Sequence, residues 1–249
     1  MLKLRRDLAA TRMWVTRRVS SSTDSVERPS STGDEGPVRG ENPLLPAVMV
    51  LVALAIPFMM GGRLTPGPRG LLPAIEIALL VIIAIADRGR IDRRSHAVRR
   101  TRITLIAILA IAATWSAITL TADLVLDRAG YTTADVLLKD GALVWINLVI
   151  VFAFIYWEHD DGGPGNRAHA LEQFPELAFT QQLNPDICPP GWRPMFADYL
   201  YLSLTNGISL SPSDTMPLAR WAKFVMGTQS ITSLLVIALV LARAVNILH

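Results

Sequence analysis

The chain has a single cysteine, Cys188, so it excludes an internal disulfide and a thiolate metal cluster. It has only four histidines, none inside an apolar run, and no His-x-x-x-His pair on a helix. A Ser/His/Asp set and a phosphate-cradling glycine loop are also missing. These gaps point away from an enzyme, a resident metal and a bound cofactor. Charge is scarce where it matters most. No charged residue stands between Glu41 and Arg63, or from Phe224 to Ala242. About 20 consecutive apolar residues are needed to cross a bilayer core. With 51% hydrophobic residues over 249 positions and a mean hydropathy of +0.37, such runs predict a membrane protein rather than one soluble core.

Residues 1–41 are polar and irregular. The first 19 could form a basic amphipathic helix, with Leu4, Leu8 and Val15 on one side and Arg5, Arg6, Arg12, Arg17 and Arg18 around it. Serine-rich stretches follow, so 1–41 is predicted to be a disordered basic cytoplasmic tail and 42–249 the transmembrane domain. The helices are expected at about 43–61, 70–86, 103–122, 141–157, 195–211 and 215–246. The fold class is therefore all-α, a polytopic bundle of six helices, with five plus a re-entrant segment as the alternative. Residues 195–213 carry the ambiguity. They hold Asp198, Ser203, Thr205, Asn206, Ser209 and Ser211, so they must line a polar interior or enter the membrane part way.

Orientation rests on arginines. Residues 87–102 carry seven: Arg88, Arg90, Arg93, Arg94, Arg99, Arg100 and Arg102. Loops 61–70 and 123–140 carry two basic residues each. Basic loops stay in the cytoplasm, so the amino terminus and the loop at 158–193 are expected there too, in a multi-pass protein of the bacterial inner membrane. Tyr156-Trp157 is read as a headgroup anchor. Glu158, His159, Asp160 and Asp161 open what is read as a solvated acidic loop. Along 103–122, Ala107, Ala110, Thr114, Ala117 and Thr121 form a small-residue face suited to close packing.

Candidate functional residues follow from polarity at depth. Glu76 is an acid inside an apolar run. Asp198, Thr205, Asn206, Ser209, Ser211, Asp214 and Gln229 could line a polar path. Asp214 is also placed to cap the last helix. Asn147 should make an interhelical hydrogen bond. The partner expected is the lipid bilayer, with a homo-oligomer left open and no nucleic acid.

The segment Phe196-Ala-Asp-Tyr-Leu-Tyr-Leu-Ser-Leu-Thr resembles the pore region of the potassium-channel superfamily, and Asp214, Pro217 and Arg220 resemble the turn into its inner helix. The filter is replaced by Thr205-Asn206-Gly207-Ile208-Ser209-Leu210-Ser211, so a potassium-selective carbonyl ring is not implied. Roughly Ile146 to Ile247 is similar to a family of uncharacterised bacterial integral-membrane proteins. That resemblance is carried by Tyr156-Trp157-Glu158 with the Asp-Gly-Gly-Pro at 161–164, by Trp192-x-Pro, and by Asp198-Tyr-Leu-Tyr through Ser213-Asp214-Thr215. It implies a membrane location and no activity. Two functions stay open: a channel-like or transport protein with a degenerate pore region at 196–220, and a non-catalytic membrane scaffold or regulator.

Overall fold

A computed structural model of the chain describes residues 41–60, 62–67, 96–126, 133–169, 175–184, 191–209 and 214–248, with single positions in the intervening stretches. The tail at 1–40, Glu76 and Ser211 lie outside the described residues. So does most of the helix expected at 70–86, of which residues 74, 75, 77, 78 and 81 are helical.

The described chain is mostly helical. In order it forms α1 (Leu44–Met59), α2 (His96–Val125), α3 (Ala134–His159), a 3-10 turn (Asp160–Gly162) and α4 (Pro164–Ala168). Then come β1 (Leu177–Phe179), α5 (Thr180–Leu183), α6 (Phe196–Ser209), β2 (Thr215–Pro217) and α7 (Arg220–Leu248). Among the described residues, three stretches are long and apolar enough to cross a membrane: Ala97–Val125, Ala134–Gly162 and Arg220–Ile247, of 29, 29 and 28 residues. At 1.5 Å per residue each is about 42 Å long. The 16 residues of α1 and the 14 of α6 are shorter.

α2 and α3 outrun their expected bounds because the flanking polar residues continue the helix. Arg99, Arg100 and Arg102 are helical, as arginine's high propensity allows. The last helix corrects the sequence reading. It begins at Arg220, not 215. Pro217 lacks an amide hydrogen and disfavours helix at Met216 before it, so 215–217 is extended. This strand pairs antiparallel with β1, Leu177 opposite Pro217 and Phe179 opposite Thr215. Asp214 therefore precedes a strand and is not the N-cap of α7. Its carbonyl accepts from Thr180, at 3.1 Å from the amide and 2.9 Å from Oγ1.

α3 is the axis of the bundle, packing against α1, α2, α6 and α7. Four elements meet its Trp157 end. Glu41, before α1, accepts from Trp157 Nε1 at 2.8 Å. Arg102, in α2, pairs with Glu158. Phe196, the first residue of α6, packs on Trp157 with ring centroids 5.6 Å apart. Trp221, at the start of α7, lies 5.8 Å from the His159 ring. At the opposite end, Ser116 Oγ donates to the Leu64 carbonyl at 2.7 Å, and Gly141 meets Val240. A Cβ at Gly141 would lie 2.8 Å from the Val240 methyls, so this crossing depends on glycine.

α6 starts at the Trp157 end and runs antiparallel to α3. Ser203 reaches the Val149 carbonyl, and Gly207 lies beside Trp145 and Val149. The chain then returns. The amides of Leu218 and Ala219 donate to the Glu176 carbonyl, and Glu176 is tied to Asp161 at the Trp157 end. The α6–β2 excursion thus leaves from and comes back to one end of α3. The small-residue face of α2 is only partly used: Ala117 is buried, while Ala107 and Thr114 are exposed.

Candidate functional site

Two polar clusters stand out, one at depth and one at the Trp157 end. The deep cluster follows from helical spacing. Along α6, Phe196, Tyr199, Leu202, Ser203, Asn206 and Gly207 recur at three and four residues and form the buried face. Along α7, Ala222, Met226, Gln229, Ser233, Val236 and Val240 do the same. Where these faces meet α3, several buried polar side chains bond one another.

Gln229 is the hub and is fully buried (0%). Its Oε1 accepts from Tyr156 Oη at 2.7 Å and from Asn206 Nδ2 at 2.9 Å. Its Nε2 donates to the Ser203 carbonyl and to Ser203 Oγ, both at 2.8 Å. Ser203 Oγ donates onward to the Val149 carbonyl at 2.7 Å. Asn206 Nδ2 donates also to the Met226 carbonyl at 3.0 Å, and its Oδ1 accepts from Ser230 Oγ at 3.1 Å. Both amides spend their full donor capacity inside the protein.

Of the described residues expected to line a polar path, only Asn206 and Gln229 are brought together. Thr205 Oγ1 turns back to its own helix, to the carbonyls of Tyr201 and Leu202, each at 3.0 Å. Ser209 and Asp214 are exposed. Asp198 Oδ2 accepts from the Met195 amide at 2.8 Å and closes the first turn of α6; burial pushes its carboxyl above the usual carboxylate range. Tyr156 and Trp157, expected as headgroup anchors, are instead buried core residues. Asn147 is buried, but its Oδ1 makes no hydrogen bond.

The second cluster lies in the stretch that the sequence reads as a solvated acidic loop. Glu158 and Asp160 are buried, which corrects the reading of 158–161 as a solvated acidic run. Glu158 Oε2 pairs with Arg102 Nε at 3.0 Å, and Oε1 lies 3.8 Å from Arg99 Nε. Arg167 Nη1 donates to the carbonyls of Trp157 at 2.8 Å and Asp160 at 2.6 Å, while its guanidinium lies 4.8 Å over the Tyr199 ring. Asp160 accepts from the Leu177 amide at 3.0 Å and from the Tyr199 hydroxyl. Asp161 and Glu176 exchange backbone-to-carboxylate bonds of 3.1 and 3.2 Å. Oxygens of Asp160, Asp161 and Glu176 lie within 4.8 Å of one another, close enough to share a cation, yet each carboxylate already accepts a backbone amide that ties the turn to β1.

Glu41 ties α1 to the Trp157 end. Its Oε1 accepts the amide of Phe196, the first of α6, and its Oε2 accepts Trp157 Nε1. It thus caps a helix more than a hundred residues away, a role normally filled by a local side chain. Burial raises its carboxyl above the ordinary value, against the lowering effect of those two donors and of Arg167. A sequence signal existed for the hub, in polar residues at inward positions of α6 and α7. None existed for Glu41, Arg102 or Arg167, whose partners are set by tertiary packing. Compared with known proteins, the chain matches no family model, no curated protein and no solved structure.

Proposed function

We propose that this chain is a multi-pass protein of the bacterial inner membrane that acts as a non-catalytic scaffold, with α6 as a re-entrant helix. Five spans are inferred: α1, the helix at about 70–86, α2, α3 and α7. α6, 14 residues and about 21 Å long, leaves from the Trp157 end and the chain returns to that end at β2, which supports re-entry rather than crossing. The arginine-rich stretch at 87–102 then lies in the cytoplasm with the Trp157 end, and the carboxyl terminus lies outside. A reporter fused at Ser95 is expected to be active only in the cytoplasm, and one fused after His249 only outside.

The observation that carries the scaffold reading is the closed bonding of Gln229, Asn206, Ser203 and Tyr156. A conduit needs polar groups left open to a solute. Here the side chains of Gln229, Asn206, Ser203 and Tyr156 hold α3, α6 and α7 to one another. The test is flux of potassium, sodium and protons in proteoliposomes. The expected result is no flux above that of empty vesicles. Flux that Gln229→Leu abolishes would overturn the reading. One observation favours a channel-like alternative: the α6–β2 excursion returns to its starting end before a long apolar helix, the chain order of a channel pore module.

A further inference from the structure

The Trp157 end of α3 is not covered all the way round. Arg102 of α2 reaches it at Glu158, and Gln229 of α7 reaches it at Tyr156. Successive helical residues are turned by about 100°, so positions 152, 155 and 159 occupy the arc between those two contacts. That arc is where burial fails. From Asn147 to Glu158 every residue is buried except Phe152 and Ile155, which are half-buried, and His159 is exposed. About five helical turns separate Gly141 from His159, so both lie on one line of α3. At Gly141 the line is covered, because α7 comes so close that a Cβ would lie 2.8 Å from the Val240 methyls. At His159 it is open. α7 therefore slants off this line towards the Trp157 end and leaves a wedge beside α2, floored by α3.

The wedge is apolar below and basic at its mouth. Phe152 and Ile155 form the floor. Trp221 and Val225, four residues apart on α7 and both half-buried, form one wall, and the Trp221 ring stands 5.8 Å from that of His159. The other wall carries Arg99. Arg102 holds Glu158 Oε2 at 3.0 Å, while Arg99 Nε is 3.8 Å from Oε1, beyond hydrogen-bond distance, and 43% of the Arg99 side chain is exposed. Arg220, also exposed, opens α7 beside Trp221. Asp160 points the other way, to Tyr199 of α6.

We propose that this wedge binds one anionic phospholipid, with its phosphate at Arg99, His159 and Arg220 and an acyl chain along Ile155, Phe152 and Val225; this rests on the membrane location proposed above, and on neither the scaffold role nor the side faced by the Trp157 end. Clefts between membrane helices with basic residues at the mouth hold anionic headgroups. The guanidinium fork matches phosphate oxygens, and a long arginine stem lets it sit at headgroup level above an apolar floor. Charge complementarity selects the lipid. A zwitterionic headgroup brings its own cation to a basic mouth, and free phosphate has no use for the floor.

The test is quenching of Trp221 fluorescence by lipids with brominated acyl chains, in vesicles holding the full chain. The share of Trp221 is the difference between the wild type and Trp221→Phe. Brominated phosphatidylglycerol is expected to outcompete brominated phosphatidylcholine by about fivefold, the effect of one arginine near an anionic headgroup. Arg99→Gln should remove most of that preference. Lys223→Gln should keep it, because Lys223 is exposed on the far side of α7 from Trp221. Inorganic phosphate should not compete. Three results would each overturn the site: no preference in the wild type, as when another segment or a second copy fills the wedge; a preference that Lys223→Gln lowers as much as Arg99→Gln, which marks diffuse attraction; or competition by inorganic phosphate. Recovery of the chain from cells without detergent would overturn the membrane location along with the site, whereas a membrane-bound chain without the preference overturns the site alone.

Discussion

The two polar clusters solve the same problem in opposite ways. The deep network is built of amides and hydroxyls without formal charge, and at Gln229 every donor and acceptor is used. The Trp157-end cluster is built of ions, and it leaves Arg99 Nε, Glu158 Oε1 and Arg167 Nη2 without hydrogen bonds. With the deep network inside the bilayer, as proposed, the difference follows from solvation. An ion at bilayer depth is costly, whereas a neutral amide that finds its partners is not. At the rim a long arginine can keep part of itself in water, and Arg99 does so with 43% of its side chain exposed. The neutral network fixes helix register, and the ionic cluster fixes where the chain leaves the bundle.

The largest expected effect breaks the ionic side of that comparison. Glu158→Ala leaves Arg102 buried without its carboxylate. Removing one partner of a buried pair costs about 3–5 kcal/mol. Replacing both, as Arg102→Met with Glu158→Leu, should restore most of the loss, because apolar isosteres of a buried pair are often neutral or better. Chemical unfolding of the single and double variants measures this. A double variant as unstable as Glu158→Ala would show that the pair does more than offset its own burial.

The next effect is expected in the neutral network. Gln229→Leu keeps the volume but removes one partner each from Tyr156 Oη, Asn206 Nδ2 and Ser203 Oγ. A buried group left unsatisfied costs about 1–3 kcal/mol, but membrane hydrogen bonds average only ~0.6 kcal/mol in measured cycles. The net expected loss is about 2 kcal/mol. Gln229→Leu combined with Asn206→Leu should cost less than the sum of the two single changes, since each already disarms the other. Additive losses in a double-mutant cycle would mean the two side chains are not coupled.

What was legible in the sequence follows the same division. The charge-free runs announced α1 and α7, and the uncharged core of α3, because composition alone decides whether a helix tolerates lipid. Asn206 and Gln229 were visible as polar residues inside apolar sequence. Their bond to Tyr156 was not, since a tyrosine at the end of an apolar run reads equally well as a headgroup anchor. Arg102 read as part of a topological signal, and its partner Glu158 stands 56 positions away. The start of α7 was misplaced because Asp214 resembles a cap, while Pro217 and the pairing with β1 hold 215–217 extended.

The smallest effect is expected at Glu41, on the Trp157 side of the comparison. Its carboxyl is raised from the ordinary 4.5, with burial the largest cause. The sign follows from linkage. Below pH 4.5 the group is protonated in folded and unfolded chains alike, so it contributes nothing to the pH dependence. As pH rises, the unfolded chain releases its proton first, so the folded state holds more protons and stability falls. The fall ends once pH passes the folded value. Asp198 also faces Glu41 and adds to the rise, while Arg167 opposes it. Glu41→Gln removes the titration. It also sets an amide N–H₂ against one of two donors, the Phe196 amide or Trp157 Nε1, so it should be less stable than the wild type at every pH. Its deficit is expected to shrink as pH rises from 4.5 towards 7, measured by Tm for both proteins in the same buffers. A deficit that stays constant or widens would mean that the two donors outweigh burial and that Glu41 is ionised in the folded protein throughout. The Trp157 end would then be wetter at Glu41 than its packing indicates, and the contrast with the deep network would be sharper still.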